Sequence, residues 1–128
     1  MLVVDDDPDV VELLRRVLVG DGWEVMTAQN GDEALARCDE NMPSIVLVDL
    51  MMPKMDGQEF LRLLRARYGV ASPPVVVVSA SWLRTEVARE GGVVASIPKP
   101  FDLDDVRDTV DQILRRTSRP GGSDKSGT

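Results

Sequence analysis

Short, largely apolar runs alternate along the chain with longer stretches in which apolar residues recur every three or four positions. Leu2-Val3-Val4, Glu24–Ala28, Ile45–Val48, Val75–Val78 and Val93–Ile97 are short, rich in β-branched residues and bounded by turn formers, the signature of strands. Between them, Val10, Val11, Leu13, Leu14, Val17 and Leu18 follow helical spacing. Asp7 stands as N-cap, Pro8 fits the first turn, and Gly20 and Gly22 end that helix. Asn30-Gly31 opens a second helix, which runs to about Asn41, where Pro43 bars extension. A third carries Phe60, Leu61, Leu63 and Leu64 and ends near Gly69. A short one is expected around Leu83–Glu90, and Asp102 caps a last helix bearing Leu103, Val106, Val110, Ile113 and Leu114.

Strands that alternate with helices predict a parallel sheet covered on both faces. The expectation is one α/β domain over residues 1–116. From about Thr117 to Thr128 the chain turns to Ser, Gly, Pro and charge, the composition of a disordered tail.

The composition narrows the chemistry. Net charge is −7, from 15 basic and 22 acidic residues, which argues against nucleic acid and anionic membrane surfaces as partners of this domain. There is no histidine, so imidazole acid–base and metal chemistry within the chain are excluded. The single Cys38 lies in a helical pattern with Ala34 and Leu35 and reads as a buried structural thiol. No apolar run approaches the ~18 residues a membrane span needs, and no signal peptide is visible, so the expected location is cytoplasmic.

Four features fall at the carboxyl ends of predicted strands: Asp5-Asp6, Asp49, Ser79 and Lys99. Those ends share one edge of a doubly wound sheet, where ligands bind. Each feature alone has an ordinary explanation: a helix cap, a loop cap, a turn residue, a solvated charge. Together they are a set of parts. Three gathered carboxylates repel one another unless a cation joins them, and hard oxygen ligands without His or Cys suit Mg²⁺. A hydroxyl and an ammonium alongside are suited to a tetrahedral anion, and aspartate is a phosphoryl acceptor in covalent catalysis.

With these segments in place the sequence resembles the receiver domain of two-component response regulators over about residues 2–116. The matching stretches are LVVDDDP (2–8), IVLVDLMMPKMDG (45–57), VVVVSA (75–80) and PKPF (98–101). The resemblance implies a flavodoxin-like (βα)5 fold, a five-stranded parallel sheet in the order 2-1-3-4-5. It implies that Asp49 accepts a phosphoryl group from a sensor histidine kinase or a histidine phosphotransfer protein. Asp5 and Asp6 would hold Mg²⁺, with Asp49 and the backbone carbonyl of Met51 completing the protein ligands. Ser79 would bind the phosphoryl group and carry the switch. Lys99 would pair with a phosphoryl oxygen, across a cis bond to Pro100. The chain would then be a signalling switch toward an unidentified output protein. It would be no enzyme beyond its own phosphorylation and dephosphorylation.

The sequence also departs from the family. Ser96 stands three residues before the lysine, where members usually carry Tyr or Phe, and the interval from 79 to 99 is slightly short. An altered output face is expected, formed by the short helix, the fifth strand and the last helix. Trp82 is expected over the rim of the site, and Pro98 on an edge strand. A receiver-like module that signals without phosphorylation is the alternative. An aspartyl-phosphate phosphatase fits poorly, because Met51 stands where such enzymes place a second aspartate. A flavodoxin fits poorly too, since no Ser/Thr/Gly-rich phosphate loop follows the first strand.

Overall fold

The computed structural model describes residues 1–50, 57–79 and 92–117. The elements are β1 (Leu2–Val4), α1 (Pro8–Gly20), β2 (Met26–Ala28), α2 (Gly31–Glu40), β3 (Val46–Val48), α3 (Gly57–Tyr68), a 3₁₀ turn (Gly69–Ala71), β4 (Val75–Ser79), β5 (Val93–Pro98) and α4 (Leu103–Thr117). All strand pairings are parallel, in the order β2-β1-β3-β4-β5. The fold is the flavodoxin-like one expected. The expected helix around 83–90, Trp82, Met51 and residues 118–128 lie outside the described residues.

Strand alternation divides the core. Leu2, Val4, Val46, Val48, Val75 and Val77 face α2 and α3, where Ala34, Leu35, Cys38, Phe60, Leu61 and Leu64 are buried against them. Val3, Ile45, Leu47, Val76, Val78 and Ile97 face α1 and α4, meeting Val11, Leu14, Leu18, Val106, Val110, Ile113 and Leu114. Each fully buried side chain of this size contributes about 1.5–3 kcal/mol of transfer free energy, so both faces drive closure.

Helix starts follow the sequence signals. Asp7 Oδ1 accepts the Asp9 N–H at 2.9 Å, Asn30 Oδ1 accepts the Glu33 N–H at 2.8 Å, and Asp102 Oδ1 accepts the Asp104 N–H at 2.9 Å. β2 is shorter than the expected 24–28. Its ladder begins only where the Met26 N–H reaches the Met1 carbonyl, beside the start of β1.

A β-bulge shapes β5. Val93 pairs with Val75 and Ala95 with Val76, leaving Val94 unopposed and 53% exposed. The bulge restores Ala95 and Ile97 to the α1/α4 face and sets Ser96 opposite Val77. β5 is an edge strand. The Lys99 N–H donates to the Ser79 carbonyl at 3.1 Å, so alternation turns the Pro98 nitrogen to the open side, where no ladder donor is needed.

Candidate functional site at the carboxyl edge of the sheet

β1 and β3 are neighbours, and their ends deliver the acidic residues together. The Asp49 N–H donates to the Val4 carbonyl at 2.9 Å, which seats Asp49 beside Asp5. Asp5 is further fixed by its own N–H to the Ala28 carbonyl (3.1 Å) and by its Oδ1, which accepts the Asp7 N–H at 2.9 Å. Asp5 and Asp49 are buried, and Asp6 faces solvent. One carboxylate oxygen from each of the three lies within 4.8 Å of the others.

Lys99 enters from the end of β5, past β4. Its Nζ donates to Asp5 Oδ2 at 2.8 Å and to Asp49 Oδ2 at 3.2 Å, and the Lys99–Pro100 peptide is cis. The ammonium bridges two carboxylates that would otherwise repel. Partial burial pulls its pKa down, but the hydrogen bond and charge of Asp5, then those of Asp49, outweigh that and hold it above the ordinary lysine value. Desolvation at the crowded strand tip, followed by the Asp5 charge, holds the Asp6 carboxyl above its usual range. Among the described residues the group sets the Lys99 ammonium against three carboxylates, and every donor atom of the three is a hard carboxylate oxygen. That set fits a divalent ion such as Mg²⁺.

Ser79 ends β4, between the tips of β3 and β5, and is buried. The sequence thus locates Asp5, Asp6, Asp49, Ser79 and Lys99 at one edge, and the structure brings the first three and Lys99 into direct proximity. The Met51 carbonyl lies outside the described residues. Sequence reasoning gave Lys99 a phosphoryl oxygen as its partner and did not foresee the bridge to Asp5 and Asp49. It also missed how closely Gly57 packs. A Cβ at Gly57 would lie 2.6 Å from the Asp49 carbonyl oxygen and 2.6 Å from the Leu50 Cα, and the Gly57 N–H donates to the Leu50 carbonyl at 3.0 Å. Only the fold shows that Gly57, at the start of α3, presses against the backbone of Asp49 and Leu50.

Known proteins are similar to this chain in sequence and in fold. The chain is 41% identical over 125 residues to the response regulator MprA of Mycobacterium sp. (strain KMS), covering 97% of this chain and 54% of MprA. It therefore spans about half the length of the curated relatives it matches. The receiver domain of the Francisella response regulator 1452 superposes with a TM-score of 0.81 at 29% identity, covering 91% of this chain and 96% of that one. The Thermotoga maritima response regulator TrrA, solved in complex with Mg²⁺–BeF, superposes with a TM-score of 0.76 at 28% identity, covering 88% and 96%. The model for the response regulator receiver domain matches residues 1–111, from β1 into α4 and through every strand tip that forms the acidic edge. On that match the chain belongs to the response regulator receiver domain family, the signalling switches of two-component systems.

Proposed function

We propose that this domain takes a phosphoryl group onto Asp49 from the phosphohistidine of a partner kinase or phosphotransfer protein. An Asp49 carboxylate oxygen attacks phosphorus, the P–N bond breaks, and the imidazole leaves with its electron pair and takes up a proton. The observation that carries this reading is the convergence of Asp5, Asp6 and Asp49 on one point with Lys99 bridging two of them. Asp5, Asp6 and Asp49, with the Met51 carbonyl, are the residues that would hold Mg²⁺. The bound ion would neutralise charge on the transferring phosphoryl oxygens. Asp5 would keep its place through Asp7 and Ala28 while Lys99 exchanges Asp49 for a phosphoryl oxygen. Ser79, one strand away, would supply a hydroxyl to another. TrrA, a structural neighbour, was solved with Mg²⁺–BeF, which supports the same ligand chemistry here.

The switch would act by shifting an equilibrium between two surface states. Residues 1–116 form the receiver unit in this reading, and 117–128 a tail. Output passes through protein contacts, and the net charge of −7 weighs against DNA binding by this segment itself.

Ser96 favours a second reading, a module that signals without phosphorylation. It sits in β5 opposite Val77, and its own side chain supplies no large ring that could follow a movement of Ser79. One experiment separates the two. After incubation with Mg²⁺ and a small phosphodonor, intact mass should show one added phosphate on the wild type and none on Asp49→Ala. Equal labelling of both overturns the site, and no labelling of either favours the second reading.

A further inference from the structure

β2 is the open edge of the sheet opposite β5, and its outward backbone groups can be followed from the ladder. The Met26 N–H bonds to the Met1 carbonyl at 2.8 Å and the Ala28 carbonyl accepts the Asp5 N–H at 3.1 Å, so Met26 and Ala28 turn their groups toward β1. Thr27, between them, turns its N–H and C=O outward, and Gln29 its N–H.

Two of these three outward groups are taken by α2. Arg37 Nε donates to the Thr27 carbonyl at 3.2 Å, and Glu33 Oε1 accepts the Gln29 N–H at 2.9 Å. Glu33 and Arg37 stand four residues apart on one face of α2 and together span the strand edge. Helix α2 thus does more than cover the sheet's face. Its polar margin folds over the rim.

We propose that Glu33 and Arg37 guard the β2 edge against a second copy of this chain. Thr27 presents one donor and one acceptor on the same side. An antiparallel approach of two β2 strands about a two-fold axis at Thr27 closes a reciprocal N–H···O=C pair and joins the two sheets into one. The edge is self-complementary, which makes a second copy the fitting partner. Half-buried Val25 and exposed Met42, beside the entry to β2, would add apolar contact to such a seam. An Arg bound to the Thr27 carbonyl removes the acceptor and puts a cation where the partner strand must lie, a recognised way of blunting an edge. The seam lies on the flank of the sheet, away from Ser79 and Lys99, so its control is separable from phosphorylation.

The test uses the paired variant Glu33→Ala/Arg37→Ala, with light-scattering mass and amide hydrogen exchange at Thr27 read across a range of protein concentration. In the wild type, exchange at Thr27 should not depend on concentration. In the variant it should slow by about tenfold or more as concentration rises, in step with a doubling of mass. Adding Thr27→Pro, which removes the outward donor at an edge position, should return the mass to that of the wild type. Arg37→Met keeps the aliphatic stem and frees the Thr27 carbonyl, and it carries the test if the paired variant loses its circular-dichroism signal. A folded variant without concentration dependence at Thr27 overturns the proposal, as does association that survives Thr27→Pro. Phosphoryl labelling of Asp49 should be unchanged throughout.

Discussion

Lys99 Nζ lies 2.8 Å from Asp5 Oδ2, a contact between residues 94 positions apart that ties the last strand tip to the first. With Asp49 on its other side at 3.2 Å, the ammonium is a positive charge that helps make two buried carboxylates tolerable at one edge. Lys99→Met should therefore destabilise the ion-free protein by about 1–3 kcal/mol, a cost reduced from that of a fully buried pair because Lys99 keeps 29% of its side chain exposed. Adding Mg²⁺ should restore much of that loss while phosphoryl labelling stays impaired. Thermal melts with and without Mg²⁺ check the first point, and intact mass the second. A variant as stable as wild type without Mg²⁺ would show that the bridge carries no weight.

Much of this was legible in the chain, for identifiable reasons. β-branched runs of strand length predict β1, β3 and β4, because strands buried on both faces leave little room for any other pattern. Asp7, Asn30 and Asp102 mark helix starts because each supplies an acceptor to an orphan N–H. The positions of Asp5, Asp6, Asp49, Ser79 and Lys99 follow from strand ends and from the family resemblance. The bulge at Val94 was not legible. Every residue of Val93–Ile97 is compatible with a regular strand, and the extra residue appears only when the run is paired against β4. The Lys99 bridge was equally hidden, since a lysine after a strand looks solvated until the neighbouring tips are placed.

Gly57 illustrates the same limit and yields its own prediction. Its backbone φ is ordinary, so the need for glycine comes from crowding: a methyl group there meets the Asp49 carbonyl oxygen at 2.6 Å and Leu50 Cδ2 at 2.8 Å. Gly57→Ala must push α3 away or shift the Asp49–Leu50 backbone, at about 1–3 kcal/mol. Because the displaced atoms belong to Asp49, the proposed acceptor, phosphoryl labelling of the folded variant should slow as well. Wild-type labelling together with a lowered melting temperature would mean that α3 moves and Asp49 does not.

Phe60, one turn further along α3, tests the α2/α3 half of the core independently of the site. It is fully buried among Ala34, Leu35, Val46, Val48 and their neighbours. Phe60→Ala should cost about 3–5 kcal/mol through lost contacts and the cavity left behind, and Phe60→Leu markedly less. Denaturant midpoints measure both. The residual folded fraction of either variant should still be labelled at Asp49, since Phe60 belongs to the apolar cluster between the sheet and α2/α3. Loss of labelling in well-folded Phe60→Leu would tie this core to the site more closely than the packing indicates.

Cys38 supplies a prediction in pH. Burial in α2, reinforced by the Asp39 charge and partly offset by Arg67, pushes its thiol from 9.0 up to about 11. The folded state therefore favours the protonated form. The thiol's contribution to stability is fully present below pH 9.0, the unfolded value, and is lost as pH rises through about 11. Below pH 9.0 the thiolate fraction in the folded chain is about a hundredfold smaller than in the unfolded one. A disulfide reagent at pH 8 should thus react slowly with the native protein and rapidly after addition of denaturant. Native-state reaction should accelerate as pH approaches 11, through ionisation and then through opening of the α2 face. Rapid modification at pH 8 under native conditions would contradict the buried placement of Cys38 in the core on the α2/α3 side of the sheet. It would also mean that α2 is not held firmly enough over the sheet to keep Glu33 and Arg37 at the β2 rim.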